Sequence, residues 1–117
     1  MHEMSIVQSL LSIIQEEMQK NEVSRLIRVT VVHGQMTNIV PDSLQFAFEV
    51  LTKETPLEGA VLITREEPLV YRCSGCKTEF TPSLTDAVLA PCPCCDEEFG
   101  HEVLSGRELF IESMEAE

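Results

Sequence analysis

Residues 73–95 read Cys73-Ser-Gly-Cys76-Lys-Thr-Glu-Phe-Thr-Pro-Ser-Leu-Thr-Asp-Ala-Val-Leu-Ala-Pro-Cys92-Pro-Cys-Cys95, a C-x2-C-x15-C-x2-C spacing that organises the reading of everything around it. Two residues between paired cysteines let a tight turn aim both sulfurs at one point, and Gly75 and Pro93 suit such turns. Two such turns supply four thiolates in a tetrahedron, which suits zinc, a d¹⁰ ion without a geometric preference of its own. The predicted ligands are Cys73, Cys76, Cys92 and Cys95, and a closed four-thiolate set marks the zinc as structural. Phe80, Val88 and Leu89 are the main large apolar groups of this stretch, too few to fold it unaided. Zinc binding, worth about 10–16 kcal/mol in small finger peptides, would supply the missing energy. Arg72 and Lys77 sit close enough in sequence to offset part of the thiolate charge. Other readings of the same cysteines are reduced core residues without metal, an iron–sulfur cluster, and a redox CxxC, although neither pair opens a helix after a strand. Cys94 is the odd thiol; it can replace Cys95 as a ligand, but a Cys-x-Cys turn fits the knuckle less well.

Outward from this stretch the apolar periods become regular. Between Met4 and Lys20, residues Val7, Leu10, Leu11, Ile14 and Met18 form one helical stripe, and Asn21 is a plausible stop. From Arg25 to His33 the period becomes two: Ile27, Val29 and Val31 point one way, Arg28 and Thr30 the other, up to Gly34. Pro41-Asp42-Ser43 opens a second helix with Leu44, Ala47, Phe48 and Leu51 on one face; either Pro41 is its first residue or Asp42 its cap. Thr55-Pro56 ends it. Ala60 to Arg65 and Glu108 to Met114 read as further strands, while from Val70 to Gly106 the periods weaken. The expected fold is α/β (α+β): two amphipathic helices packed on a short β-sheet, with an inserted zinc-ribbon-like knuckle. Residues 1–68 and 106–117 would form the helix-and-sheet domain and residues 69–105 the zinc-binding domain.

The 117 residues amount to about one domain, and 44% hydrophobic content allows a modest core. No apolar run approaches the roughly 20 residues of a membrane span. The start lacks the basic region and long apolar stretch of a secretory signal. Twenty acidic against eight basic residues give a net charge of −12, which opposes binding to nucleic acid and to anionic membranes and suits the handling of cations. Five cysteines without a secretion signal point to a reducing compartment, the cytoplasm, where thiols meet metals more often than each other.

A second metal signal lies at the chain start. With Met1 retained, its terminal amine, the His2 backbone nitrogen and His2 Nδ1 stand in sequence and close a five- and a six-membered chelate ring. Coplanar nitrogen donors favour square-planar Ni(II) or Cu(II) over tetrahedral zinc. The Glu3 backbone nitrogen or carboxylate can fill a fourth position. A site on a chain end binds and releases, which suits delivery; the competing reading is a solvated terminal histidine.

Met1-His2-Glu3-Met4-Ser5 resembles the start of the HypA/HybF family of hydrogenase nickel-incorporation proteins. His33-Gly34, the run Pro41-Asp42-Ser43-Leu44-Gln45-Phe46-Ala47-Phe48, Glu58-Gly59-Ala60, the double CxxC and Gly106-Arg107-Glu108-Leu109 extend the resemblance over essentially the whole chain. The resemblance implies transported nickel at Met1, His2 and Glu3 and structural zinc at the four cysteines. It also implies delivery to the large subunit of [NiFe]-hydrogenase, in some organisms to urease, alongside a HypB-type GTPase. One departure is Asp96 after Cys94-Cys95, where many relatives have glycine.

Other residues carry blander expectations. His33 shares a side with Ile27, Val29 and Val31 and reads as packed or capping; His101 reads as a solvated loop histidine. Two other functional classes compete. A zinc-ribbon nucleic-acid-binding or adaptor protein would share the double CxxC but would need clustered Lys/Arg. A metalloenzyme would need an HExxH, a nucleophile elbow or a phosphate loop, and the sequence has none, so no enzymatic activity is expected.

Overall fold

The structure is a computed structural model that describes residues 3–82, 90–98 and 100–117. Met1, His2, Val88 and Leu89 therefore lie outside the described residues. The chain divides into two compact units, one of residues 1–32, 38–65 and 109–117, the other of residues 33–37 and 66–108.

Helix α1, Glu3–Lys20, buries Val7, Leu10, Ile14 and Met18 of the predicted stripe and adds Ile6, while Leu11 is only partly buried at its edge. Each fully buried side chain of this kind contributes about 1.5–3 kcal/mol relative to exposure, so the apolar stripe holds the helix in place. The Lys20 pairs with Glu16 and Glu17 are exposed and add little. The helix stops at Asn21, whose backbone N–H and side-chain amide both donate to the Glu17 carbonyl, as Glu22 turns left-handed at φ 55°.

Helix α2, Pro41–Thr52, settles the open choice at its start. Pro41 is the first helical residue, Val40 is the N-cap, and no side chain caps it. Proline fits there because it lacks an N–H that would go unpaired anyway. The helix ends at Thr52, earlier than Thr55-Pro56 suggested, because Glu54 is left-handed at φ 62° and the Thr55 hydroxyl donates to the Thr52 carbonyl. Leu44, Ala47 and Phe48 are buried with the α1 stripe.

Strands β1 (Leu26–Gly34), β2 (Val61–Glu67) and β6 (Leu109–Ala116) form one sheet in the order β2-β1-β6. Arg25 and Glu117 exchange both backbone bonds, while the Gly34 N–H donates to the Glu108 carbonyl, so β1 and β6 run antiparallel. Arg25–Glu117, Arg28–Glu115 and Arg65–Glu112 ion pairs lie along β6, all partly exposed. Val29, Val31, Leu26 and Leu62 of the sheet join the helices in one core.

The second unit carries three strands where the sequence showed no period: β3 (Val70–Arg72), β4 (Glu79–Phe80) and β5 (Glu102–Ser105). Their order is β4-β3-β5, antiparallel throughout, with Tyr71 opposite Phe80 on one side and Val103 on the other. Leu69, Tyr71 and Ala90 are its buried core, flanked by Met36, Phe80 and Val103. Gly34 and Gly106 meet here. A Cβ on Gly34 would lie 2.0 Å from the Gly106 carbonyl carbon and oxygen. A Cβ on Gly106, itself at φ 115°, would lie 2.9 Å from the Leu69 Cα. Main chain approaches main chain so closely that both positions require hydrogen as the side chain.

Candidate metal centre

The two cysteine turns are built alike. The Cys73 N–H donates to the Thr78 carbonyl and the Lys77 N–H to the Cys73 carbonyl; the Cys92 N–H donates to the Glu97 carbonyl and the Asp96 N–H to the Cys92 carbonyl. Lys77 and Asp96, the residues directly after Cys76 and Cys95, are both left-handed, at φ 66° and 63°. Asp96 thus occupies the conformation that glycine favours, and aspartate is among the few other residues that tolerate it. The match between the turns also assigns the second one: Cys95 ends it, as Cys76 ends the first.

These turns bring the sulfurs of Cys73, Cys76, Cys92 and Cys95 all within 4.8 Å of one another. Cys73 Sγ lies 3.4 Å from Cys95 Sγ, and Cys76 Sγ 3.6 Å from Cys92 Sγ. Four sulfurs at about 2.3 Å from a central zinc stand about 3.8 Å apart, close to the two separations above, so the cluster suits such an ion. Cys73 and Cys92 are buried, Cys76 and Cys95 exposed; Cys94 is exposed and stands outside the quartet.

Backbone donors prepare the sulfurs for charge. Gly75 N–H lies 3.3 Å and Cys76 N–H 3.5 Å from Cys73 Sγ, and Cys94 N–H lies 3.3 Å from Cys92 Sγ. The Thr78 hydroxyl, with the Thr78 backbone N–H, lowers the Cys76 thiol to about 6. At Cys73 burial opposes ionisation, but the Cys76 and Gly75 N–H groups and the neighbouring sulfurs outweigh it and lower the thiol. Burial raises Cys92. At Cys95 the Glu97 N–H favours the thiolate, yet Cys73, burial and the other two sulfurs overcome it and push the thiol up to about 12. Four thiolates cannot share this space unless a cation enters it.

Of the two described histidines, His33 meets its expectation and His101 departs from it. His33 is 1% exposed, as a packed residue should be, and its Nδ1 has no partner. His101 is no solvated loop residue. Its Nδ1 accepts from the Ser74 N–H at 3.1 Å, inside the first cysteine turn, which leaves the proton on Nε2. Nε2 faces the carbonyls of Ala90 at 2.9 Å and Glu97 at 2.8 Å, on either side of the second turn. The ring stands edge-on to Phe80 at 5.1 Å and beside Tyr71 at 6.0 Å. Arg72, expected to offset thiolate charge, instead pairs with Glu102 at 3.1 Å and Glu79 at 3.8 Å on the flanking strands. The left-handed conformation of Lys77 and Asp96 and the part played by Thr78 do not show in the cysteine spacing; the repeated position one residue after each CxxC is the available signal.

The model of the family described as "Hydrogenase/urease nickel incorporation, metallochaperone, hypA" matches residues 1–116. The chain belongs to the HypA family. Among its relatives, the hydrogenase maturation factors HypA of Solidesulfovibrio magneticus and Lawsonia intracellularis are 50% and 52% identical, each over the full length of both chains. The guanidine hydrolase-activating protein A of a Synechocystis strain is 39% identical over 98% of this chain and 94% of its own. The solution structure of the nickel metallochaperone HypA from Helicobacter pylori superposes with a TM-score of 0.67 at 27% identity, covering 99% of this chain and 97% of that one. This is a mixed α+β fold with a four-cysteine cluster suited to zinc, in a family of nickel metallochaperones for hydrogenase maturation.

Proposed function

We propose that this chain carries Ni(II) at Met1, His2 and Glu3 and passes it to the large subunit of a [NiFe]-hydrogenase. It would act in the cytoplasm beside a HypB-type GTPase and catalyse no reaction of its own. Residues 1–68 and 106–117 serve as the nickel-binding domain. Residues 69–105 form the zinc-binding domain, with structural Zn(II) on Cys73, Cys76, Cys92 and Cys95. The observation that carries the zinc assignment is the convergence of those four sulfurs within 4.8 Å of one another. Bound there, zinc would tie the two turns together, and four thiolates leave it no site for substrate or water.

For nickel the support is family membership together with the placement of Glu3. α1 begins at Glu3, where the first N–H groups of a helix have no intrahelical acceptor, so the Glu3 backbone nitrogen is free to serve as a donor. Its carboxylate accepts from the Val40 N–H at 3.4 Å, which favours the backbone nitrogen over the carboxylate as the ligand. Beside it lies an open cavity of about 420 Å³ lined by Glu3, Met4, Asp42, Ser43, Phe46 and Ala47, room for an incoming acceptor next to the metal. Hydrogenase is the client most of the close relatives are named for, and urease stands in the family description.

The test is nickel titration of the untagged, zinc-loaded protein against His2→Ala. Wild type is expected to take up a second metal and His2→Ala to lose that uptake while keeping its zinc and its circular dichroism spectrum. Equal nickel affinity in the two proteins would refute the terminal site. The alternative of a zinc-ribbon nucleic-acid-binding or adaptor protein is opposed by the net charge of −12, and salt-dependent retention on a DNA or RNA column would revive it.

A further inference from the structure

We propose that His101 is the latch that sets how long the knuckle keeps its metal. The proposal rests on the reading of the four cysteines as a zinc site. Zinc leaves a closed thiolate cage more readily when one cysteine turn swings away and lets a competing ligand reach the metal. One imidazole is bonded to both turns. Through Nδ1 it holds the Ser74 N–H, between Cys73 and Cys76. Through Nε2–H it holds the carbonyls of Ala90 and Glu97, which lie just before Cys92 and just after Cys95. Swinging out either turn therefore breaks a bond to the same ring.

Two aromatic rings pack against the imidazole and oppose its following a departing turn. Phe80 stands edge-on to it and Tyr71 beside it, and Tyr71 is pinned in the centre of the β4-β3-β5 sheet. Gly100, left-handed at φ 74°, allows the backbone before His101 to pass close to Ser74, with which an added Cβ would make contact at 3.8 Å. His101 touches no metal in this account. It is a positioning residue acting through the backbone of the two turns, and partners of this outer kind commonly change metal affinity 10–100-fold when removed.

The experiment measures zinc transfer from the full-length, zinc-loaded protein to excess 4-(2-pyridylazo)resorcinol, together with the visible bands of the Co(II)-substituted protein. His101→Phe keeps a ring against Phe80 and Tyr71 and removes both nitrogens. His101→Asn retains an acceptor in the place of Nδ1, and His101→Gln a donor in the place of Nε2. Release from His101→Phe is expected to be roughly 10–100-fold faster than from wild type. The Asn and Gln variants should fall between, and all should keep the Co(II) bands of four thiolates. A merely packed ring would leave His101→Phe at the wild-type rate, and that result overturns the latch. If His101→Phe does not fold, wild-type rates in both polar variants overturn it equally. Loss of the four-thiolate bands would make the histidine a determinant of the ligand set and also refute the proposal. Wild-type protein that takes up no zinc would sink the underlying zinc reading itself, a different failure from an unchanged rate.

Discussion

Replacing Gly34 by alanine tests the close main-chain contact in the second unit. The new Cβ would stand 2.0 Å from the Gly106 carbonyl atoms and 2.5 Å from the Arg107 nitrogen, all backbone and unable to rotate away. Ordinary contact begins at 3.4 Å, so the two segments must part by about 1.4 Å, the difference between 3.4 and 2.0. That displacement stretches the bonds from Gly34 N–H to the Glu108 carbonyl, 2.8 Å, and from Met36 N–H to the Gly106 carbonyl, 2.7 Å, beyond useful length. Overpacking costs about 1–3 kcal/mol and each lost hydrogen bond about 0.5–1.5, so the substitution should cost about 2–6 kcal/mol. Domains of this size are stable by only about 5–15 kcal/mol, so the upper end would unfold the unit. The chain supplies its own probe, because Tyr71 is its single tyrosine, lies in that unit's core, and has no tryptophan to compete with it. Urea unfolding followed by tyrosine emission should shift to lower denaturant by about 1 M or more at an ordinary urea slope. Gly59→Ala is the control: at φ 88° the alanine is strained although nothing lies within 4 Å, and that strain falls in the other unit. It should leave the tyrosine transition in place. A Gly34→Ala transition superimposed on that of wild type would refute the close-contact argument.

Ile14 is 1% exposed in the core beneath α1, and Ile14→Ala should destabilise the first unit by about 2–5 kcal/mol, read from the helical circular dichroism signal during urea unfolding. Lys77→Gly should raise the stability of zinc-loaded protein by about 0.5–1 kcal/mol, because glycine relieves a left-handed lysine at φ 66° at some cost in chain entropy; a lower midpoint would contradict this. Zinc uptake at neutral pH should release protons, those of Cys92 and Cys95 among them, whose thiols are raised. The sign follows: zinc affinity rises with pH while those thiols still hold protons, and falls more steeply once acid protonates Cys76 near pH 6. Pipetting zinc into weakly buffered protein with a pH indicator measures the release, and no acidification would refute it.

How much the sequence discloses depends on how far a side chain's reason lies from it. The α1 stripe is visible because helical period alone aligns Val7, Leu10, Ile14 and Met18. The double CxxC is visible because four sulfurs need two tight turns and little else. Strands β3, β4 and β5 were invisible: a segment of two to four residues has no period, and Tyr71 is a strand residue only because Phe80 and Val103 lie beside it. The role of His101 is hidden for a related reason. Its partners are backbone atoms of Ser74, Ala90 and Glu97, and backbone atoms leave no mark in a sequence. The Gly34–Gly106 contact is likewise a meeting of two main chains distant along the polymer. The start of α2 was undecidable beforehand because Pro41 and Asp42 are each good first-turn residues, and only the backbone angles at Val40 choose between them.

The placement of β6 has a consequence for synthesis. β1 lies in the middle of its sheet, yet its partner β6 follows all the cysteines in the chain and so leaves the ribosome after them. Until then the nascent body presents β1 with one ladder of N–H and C=O groups unanswered, an edge that can recruit a neighbouring chain. A tether left unstructured between β2 and β6 would make closure slow, whereas residues 68–108 folded around a metal ion, with the Gly34 N–H held to the Glu108 carbonyl, would leave little chain to search. Cells short of zinc should therefore accumulate aggregates of newly made protein before any defect in nickel delivery shows.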